Sequence, residues 1–243
     1  MFLSPSRTGY AMSKQGKKIL KVKEKLATAN LSNWESSLDF ICKNTTVKFD
    51  ESVDADVILG IDPAKGEQTV RGSVLLPHGT GKKIRVAVFA RNEYEEQARK
   101  AGADYIGTED LIEKIESGWS DFEAAVATPD LMGLVGRVAK FLGPRGLLPN
   151  KKVGTVTFAV GEIVSDLKKG RVSYRNDKTG VLHAPFGKVS FGAGKLRENL
   201  LSLIRAVKAS KPASSKGKFI RKITISSTMG VGITINPDEV TVD

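Results

Sequence analysis

The sequence predicts a mixed fold, α+β and α/β, with two domains: a discontinuous α+β domain and a Rossmann-like α/β domain inserted into it. Two observations support this prediction. The middle block alternates predicted strands with predicted helices, and the flanking blocks contain strands in which apolar and polar residues alternate. With 243 residues the chain is long enough to bury two cores. We expect a disordered N-terminal extension over 1–12, the outer domain over 13–79 and 170–243, and the insert over 80–169.

The middle block predicts a parallel sheet covered by helices. Apolar runs at 85–90, 103–106 and 122–127 are typical of buried strands. Helical patterns follow them over 92–102, from 108 onward and over 130–143, with Asn92 and Thr108 as predicted caps and Gly143 as a predicted stop. Consecutive strands that are joined through a helix run parallel, so this βαβ order predicts a parallel sheet.

The flanking blocks predict longer, half-buried strands. Apolar and polar residues alternate over 53–61, and strand 220–227 is rich in isoleucine. The segment 172–183 predicts a hairpin around the turn 176–180, and 195–210 an amphipathic helix closed by Pro212. The chain would cross between domains near 77–79 and 169–170, where Gly79, Gly81 and Gly170 suit a hinge.

The charge is concentrated at the C-terminal end. The net charge is +2 over 1–79, +1 over 80–169 and +8 over 170–243, out of a total of +11. A basic block of this kind favours a polyanionic partner, since binding it releases counterions. A solvated basic face that serves only solubility is the alternative.

Other classes of function have little support. The single cysteine, Cys42, excludes an internal disulfide and a multi-cysteine zinc site, and it points to a reducing compartment, the cytoplasm. His78 and His183 lack a second ligand at metal spacing, so we expect neither a metal nor a cofactor. The chain has no apolar run of about 18 residues and no signal-peptide pattern, so no membrane association is expected. Met12, before the lysine-rich segment 13–25, is an alternative start of translation.

Glycine-rich segments do not form a nucleotide-binding motif. The segment 79–82 (GTGK) resembles the end of a phosphate-binding loop, but Leu76 and Lys83 stand where that motif needs Gly and Ser or Thr. The glycines at 133–136 and 143–146 lack the dinucleotide-binding spacing. An enzyme that uses the insert for a phosphorylated substrate remains the competing hypothesis, and it lacks a phosphate loop.

The segment 226–230 (SSTMG) at the end of a basic strand suits RNA. Glycine permits close approach of a sugar edge, and hydroxyls can meet 2′-OH groups. A simple turn would explain Ser, Thr and Gly but would give Met229 no role.

Nine collinear motifs resemble the L-one family of large-subunit ribosomal proteins. They are LGIDP (59–63), VRG (70–72), LPHG (76–79), AGADY (101–105), ATPD (127–130), LGPRGLLPN (142–150), RNDKTG (175–180), HAP (183–185) and STMG (227–230). The resemblance implies a split RNA-binding domain with a Rossmann-like insert. It also implies binding of 23S-type ribosomal RNA at the mobile stalk, help with release of deacylated tRNA from the exit site, and repression of translation from the protein's own messenger RNA. A non-enzymatic, ribosome-associated protein that is monomeric when free is therefore expected.

The resemblance also places the RNA contacts. It assigns the main cluster to Lys48, Phe49, Ser52, Thr228, Met229 and Gly230, and the neighbouring Ser227 is a further candidate RNA contact. Asp54 stands at an acidic position where a longer glutamate is expected, and Arg175, Asn176, Lys178 and His183 match a hairpin of the family. Lys48 would hold phosphate, Phe49 and Met229 would contact sugars and bases, and Thr228 and the Gly230 backbone would read 2′-OH groups. Core packing is the alternative role for Phe49.

Overall fold

A four-stranded antiparallel sheet forms the centre of the outer part of the protein. In the computed structural model, which describes residues 16–29, 31, 33–63 and 65–240, the predicted period-two segment forms strand β1, with alternate residues buried. The strand order is β7-β1-β8-β9. These strands are β1 (Ser52–Leu59), β7 (Val181–Lys188), β8 (Ile220–Ser227) and β9 (Ile233–Ile235). The predicted extension 1–12 lies outside the described residues.

Helices from both ends of the chain cover the core side of this sheet. The predicted amphipathic helix 195–210 is present and begins three residues earlier, and it packs on β7 and on the second helix. The core draws residues from 22–76 and from 172–240. These helices are α1 (Lys17–Thr28), α2 (Trp34–Lys43), α7 (Gly192–Ala209) and α8 (Pro237–Val240).

The middle of the chain forms a three-stranded parallel sheet of order β4-β3-β5. Alternate residues of the central strand enter two separate apolar clusters, one on each face of the sheet. The strands are β3 (Val86–Phe89), β4 (Tyr105–Gly107) and β5 (Ala124–Ala127); the helices are α3 (Glu93–Lys100), α4 (Glu109–Glu116), α5 (Met132–Leu142) and α6 (Val160–Lys169). Helices α4 and α5 pack together on one face, and α3 and α6 on the other. The predicted fold class is confirmed.

The predicted hairpin at 172–183 is wrong in its pairing. The turn exists, with the Asp177 N–H donating to the Val181 carbonyl (2.8 Å), but only one bridge, between Asn176 and Leu182, joins its two arms. Strand β6 (Arg171–Arg175) instead pairs with β2 (Arg71–Leu75), while β7 pairs with β1. Local alternation identified the strands, but burial in two different sheets decided their partners.

The two crossings between the outer part and the insert run side by side. Gly79 and Gly170 both have positive φ, and a Cβ on Gly170 would lie 2.4 Å from the Gly79 Cα. The fully buried Asn199 ties this crossing to the outer core. It accepts a bond from the His78 N–H (3.0 Å) and donates to the carbonyls of Gly79 (3.0 Å) and Phe186 (2.8 Å).

Some local predictions were wrong or incomplete. Asn92 and Thr108 precede α3 and α4 as predicted, but neither side chain makes a capping hydrogen bond, and Asn92 has φ 53°. The helix predicted from 130 begins as a 3-10 turn at 129–131 before α5. Helices α1, α2 and α6 and strands β2 and β9 were not predicted. In the described part of the chain, no helix is long and apolar enough to cross a bilayer.

Candidate RNA-binding site

The ends of β1 and β8 bring two distant parts of the sequence together. The strands are antiparallel, with Val53 opposite Ser227, so residues 48–52 lie beside 227–230. The Ser52 N–H donates to Thr228 Oγ1 (3.1 Å), and the Thr228 N–H donates to the Ser52 carbonyl (3.1 Å). We call the surface of Lys48, Phe49, Glu51, Ser52, Ser227, Thr228, Met229 and Gly230 the sheet tip.

The buried Glu51 holds the sheet tip in place. Its side chain is 1% exposed, and Oε1 accepts a hydrogen bond from the Met229 N–H (2.9 Å). The second oxygen, Oε2, has no hydrogen-bond partner among the described residues. A buried carboxylate has lost its hydration, so the hydrogen bond from the Met229 N–H to Oε1 is costly to break. The carboxylate therefore fixes the backbone that presents Met229.

Two large apolar side chains of the sheet tip face solvent. Phe49 is 55% exposed and Met229 is 50% exposed. Core packing, the alternative considered for Phe49, is therefore not its role. Lys48 is exposed as well, and the structure gives its side chain no ion pair among the described residues. The tip thus combines apolar surface with a free cation.

The bend that carries Phe49 is anchored by its neighbour Asp50. Its carboxylate accepts bonds from the Ser190 N–H (3.1 Å) and hydroxyl (2.7 Å), and Lys188 Nζ lies 3.7 Å away. The Ser190 hydroxyl, ahead of the smaller contribution of Lys188, lowers the pKa of the Asp50 carboxyl. The carboxylate stays ionised and keeps the bend attached to the end of β7.

Gly230 is required by the shape of the turn. The Gly230 N–H donates to the Ser227 carbonyl (3.0 Å), and a Cβ on Gly230 would lie 2.3 Å from Ser227 Oγ. Ser227 itself is buried, with 7% of its surface exposed. Ser227 therefore packs inside the turn, while Gly230 leaves its backbone open.

Asp54 follows the tip along β1, two residues after Ser52 and on the same side of the strand. It stands opposite Ser226 and Pro185. Partial burial, followed by repulsion from Asp56, raises the pKa of the Asp54 carboxyl, and Lys82 opposes this. Because Lys82 belongs to the crossing into the insert, this carboxylate faces that crossing.

The remaining predicted residues lie around the turn 176–180 and opposite the middle of β1, where His183 pairs with Asp56. Leu59, at the end of β1, donates its N–H to the Gly180 carbonyl, so the turn lies about 23 Å from Ser52 at 3.3 Å per residue. Asn176 is buried, and its Oδ1 accepts from the Val70 N–H (2.8 Å). His183 Nδ1 lies 2.6 Å from Asp56 Oδ1. This second group also contains exposed Arg175 and Lys178, and the structure does not unite it with the sheet tip.

Two features of the tip were missed in the sequence. Glu51 was not singled out, because nothing local shows that the Met229 backbone lies against it. Helix α1 was also missed: a groove beside the tip is lined by Ile19, Lys23 and Leu26 of α1 together with 230–232. The spacing of Ile19, Val22 and Leu26 was the available signal for this helix.

The site has no feature of a metal centre. No group of three or more His, Cys, Asp or Glu residues within the described ranges could hold a metal ion. The arrangement instead offers hydroxyl and backbone groups, apolar side chains and neighbouring lysines, which together suit a sugar–phosphate surface.

Comparisons with known proteins agree with the family suggested by the motifs. A profile of the "Ribosomal protein L1p/L10e family" matches residues 41–231. The chain is 50% identical over 226 residues to the "Large ribosomal subunit protein uL1" of Desulfosudis oleivorans. That similarity covers 93% of this chain and 97% of the relative.

Proposed function

The chain belongs to the ribosomal protein L1p/L10e family, and on that basis we propose that it is a non-enzymatic component of the large ribosomal subunit. In this proposal the sheet tip binds the large-subunit ribosomal RNA of the mobile stalk. The observation that carries the proposal is the tip itself. Two exposed apolar side chains, Phe49 and Met229, stand on a backbone held rigid by Glu51 and by the Ser52–Thr228 pair.

A rigid tip favours specific binding, because little conformational freedom is lost when RNA docks. The Thr228 hydroxyl accepts from the Ser52 N–H and also lies 3.2 Å from the Ser52 carbonyl, to which it can donate. Its remaining lone pair can accept a bond from a ribose 2′-OH. Phe49 and Met229 supply apolar contact to sugars and bases, and the open backbone at Gly230 permits close approach.

Lysines around the tip supply the electrostatic part of binding. Lys48 lies within the tip, and Lys23 of α1 lines the groove beside Gly230. Helix α1 carries five lysines against one glutamate. Lysines of this kind would position phosphates without reading the sequence. Specificity would come from the nearly uncharged tip.

Filter binding at several salt concentrations tests this proposal. The probes are a stalk fragment of large-subunit ribosomal RNA and a duplex of the same base composition in scrambled order. We expect the fragment to bind at least about 10³-fold more tightly than the scrambled duplex. Equal affinity for the two probes would contradict the proposal.

Two further roles belong to the same proposal. Help with release of deacylated tRNA from the exit site predicts that ribosomes lacking the protein retain that tRNA longer, and that adding the protein restores release.

Repression of its own messenger RNA predicts that the purified protein lowers translation of a reporter that carries the leader of that messenger, but not of a reporter with an unrelated leader. We also propose a monomer when free and a cytoplasmic, ribosome-associated location, which co-sedimentation with large subunits would test.

A further inference from the structure

A cleft of about 270 Å³ lies between the outer part and the insert. Strands β2 and β6 and the near ends of β1 and β7 form one wall, and β5, the segment 146–155 and α6 form the other. Small-molecule sites favour such junctions between domains and commonly measure about 300–1,000 Å³. We call this feature the interdomain cleft; its lining includes Arg71, Ser73, Thr80, Lys82, Val153 and Arg171.

The crossing segment 79–82 brings polar groups without partners to this cleft. Thr80 lines the cleft and is 8% exposed, and its Oγ1 has no hydrogen-bond partner among the described residues. The N–H groups of Thr80, Gly81 and Lys82 also donate to no acceptor in the part of the chain that the structure describes. Burying polar groups without partners is costly. These groups therefore favour a ligand that accepts several hydrogen bonds.

Two cations of the cleft have no counter-charge bound to them. Arg71 and Lys82 form neither an ion pair nor a side-chain hydrogen bond with the described residues. Partial burial, followed by repulsion from Arg175, lowers the pKa of the Arg71 guanidinium. A cation that is partly desolvated in this way is stabilised by a nearby anion.

The acids near the cleft do not neutralise these cations. Glu123 lines the cleft, but its carboxylate binds Arg85 (2.8 Å). Asp54 responds electrostatically to Lys82 but forms no ion pair with it. The uncompensated charge of the interdomain cleft is therefore positive, which favours an anionic ligand.

A hydrogen-bonded cluster and apolar side chains complete the lining. Arg171 Nη2 donates to Ser73 Oγ (2.8 Å) and to the Val153 carbonyl (3.2 Å), while Asp166 balances the Arg171 charge (3.5 Å). This cluster ties β2 and β6 to the insert and so limits how far the walls can separate. Much of the remaining lining is apolar and includes Ile84, Leu148, Leu167 and Val172. The cleft thus suits a ligand with an apolar body beside its anionic group.

We propose that the interdomain cleft binds a small phosphate monoester with an apolar body. The Thr80 hydroxyl, the N–H groups of 80–82 and the Lys82 ammonium hold the phosphate, whose three acceptor oxygens match these donors. Gly79 and Gly81 have positive φ (67° and 71°), a backbone conformation in which successive N–H groups can face one anion. The segment lacks the phosphate-loop pattern of nucleotide hydrolases, so the proposal is binding without catalysis. It goes beyond the proposed function, since it requires no RNA.

Calorimetric titration of the full chain at about 0.05 M salt tests the proposal with three probes. Phenyl phosphate carries both features of the ligand, inorganic phosphate lacks the apolar body, and phenol lacks the phosphate. We expect phenyl phosphate to bind at one site per chain and at least about tenfold more tightly than either of the others. Equal affinity for phenyl phosphate and inorganic phosphate would indicate general attraction to a basic protein and would overturn the proposal.

A pair of neighbouring lysines supplies the matched variants. Lys82 lines the cleft, whereas Lys83 is exposed and lies outside its lining. Lys82→Gln should weaken binding of phenyl phosphate at least about tenfold, since a charged hydrogen bond is lost, and Lys83→Gln should change it by less than about twofold. Equal losses would refute the assignment. If Lys82→Gln weakened only binding of the stalk fragment, the cleft would serve RNA and the proposal would fall.

A substitution of Thr80 separates binding from stability. Thr80→Val keeps the shape of the side chain and removes the buried hydroxyl that has no partner. Its urea midpoint should therefore rise or stay the same, while its affinity for phenyl phosphate falls several-fold. A lower midpoint, or an unchanged affinity, would count against the proposal. Failure of the stalk fragment to bind would instead overturn the proposed function and leave these measurements intact.

Discussion

The exposed side chain of Met229 is the most direct probe of the sheet tip. Thr228 is a poorer probe, because its hydroxyl already bonds to the Ser52 backbone. Full burial of a methionine side chain contributes about 1.5–3 kcal/mol. Met229 is 50% exposed, so covering the remaining half with RNA would contribute about 0.8–1.5 kcal/mol. The substitution Met229→Ala should therefore weaken binding of the stalk fragment about 4- to 12-fold.

The assay is filter binding of the stalk fragment at several salt concentrations, together with urea unfolding. Met229→Ala removes no charge and no hydrogen-bonding group, so the salt slope should stay constant and stability should change by less than about 0.5 kcal/mol. Leu75→Ala, at a position 45% exposed and outside the tip, is the matched control and should leave binding unchanged. An affinity of Met229→Ala within twofold of wild type, or equal to that of Leu75→Ala, would refute the assignment of Met229.

Three other predictions concern groups of different chemistry. Lys48→Ala should lower the salt slope for the stalk fragment by about 0.9, while Lys114→Ala should leave it unchanged; the reverse result would remove Lys48 from the site. Glu51→Ala leaves the Met229 N–H without its acceptor, so urea unfolding should show a loss of about 1–3 kcal/mol along with weaker RNA binding. Glu51→Gln keeps an acceptor oxygen and should recover much of that stability, and equal losses in both variants would contradict this role. The Thr179 hydroxyl, followed by backbone N–H donors, lowers the pKa of Asp177 to about 2. The folded pKa lies below the unfolded one, so this stabilisation is present above about pH 4 and is lost as the pH falls toward 2. The urea midpoint of Asp177→Asn should then fall less between pH 4 and pH 2 than that of wild type, and parallel curves would argue against it.

Parts of the fold with a clear period were predictable from the sequence. The strand predicted over 220–227 is β8, and the alternation after residue 52 is β1. The βαβ order of the middle block correctly gave a parallel sheet. Helix α6 was missed because its first residues, Val160, Gly161 and Ile163, include glycine and β-branched side chains, which have weak helix propensity.

The candidate site was predictable only in part. Motif resemblance supplied the two segments of the sheet tip, and the charge distribution supplied the expectation of a polyanion. The same resemblance matched Asn176 and His183 to a separate hairpin, and the structure places His183 opposite Asp56 in the middle of β1 and Asn176 in the turn beyond it. Whether either group contacts RNA stays a prediction.

The sequence by itself determined the fold class and the basic C-terminal part, and it singled out residues within 48–52 and 227–230 as candidate RNA contacts. These follow from local periodicity, composition and motifs, which do not depend on distant contacts. Only the tertiary structure decided that Glu51 holds the Met229 backbone, that Phe49 faces solvent, and that β6 pairs with β2. Each of these depends on which of several compatible strands pair and in which register, and that choice is made by burial of the whole core rather than by any local segment.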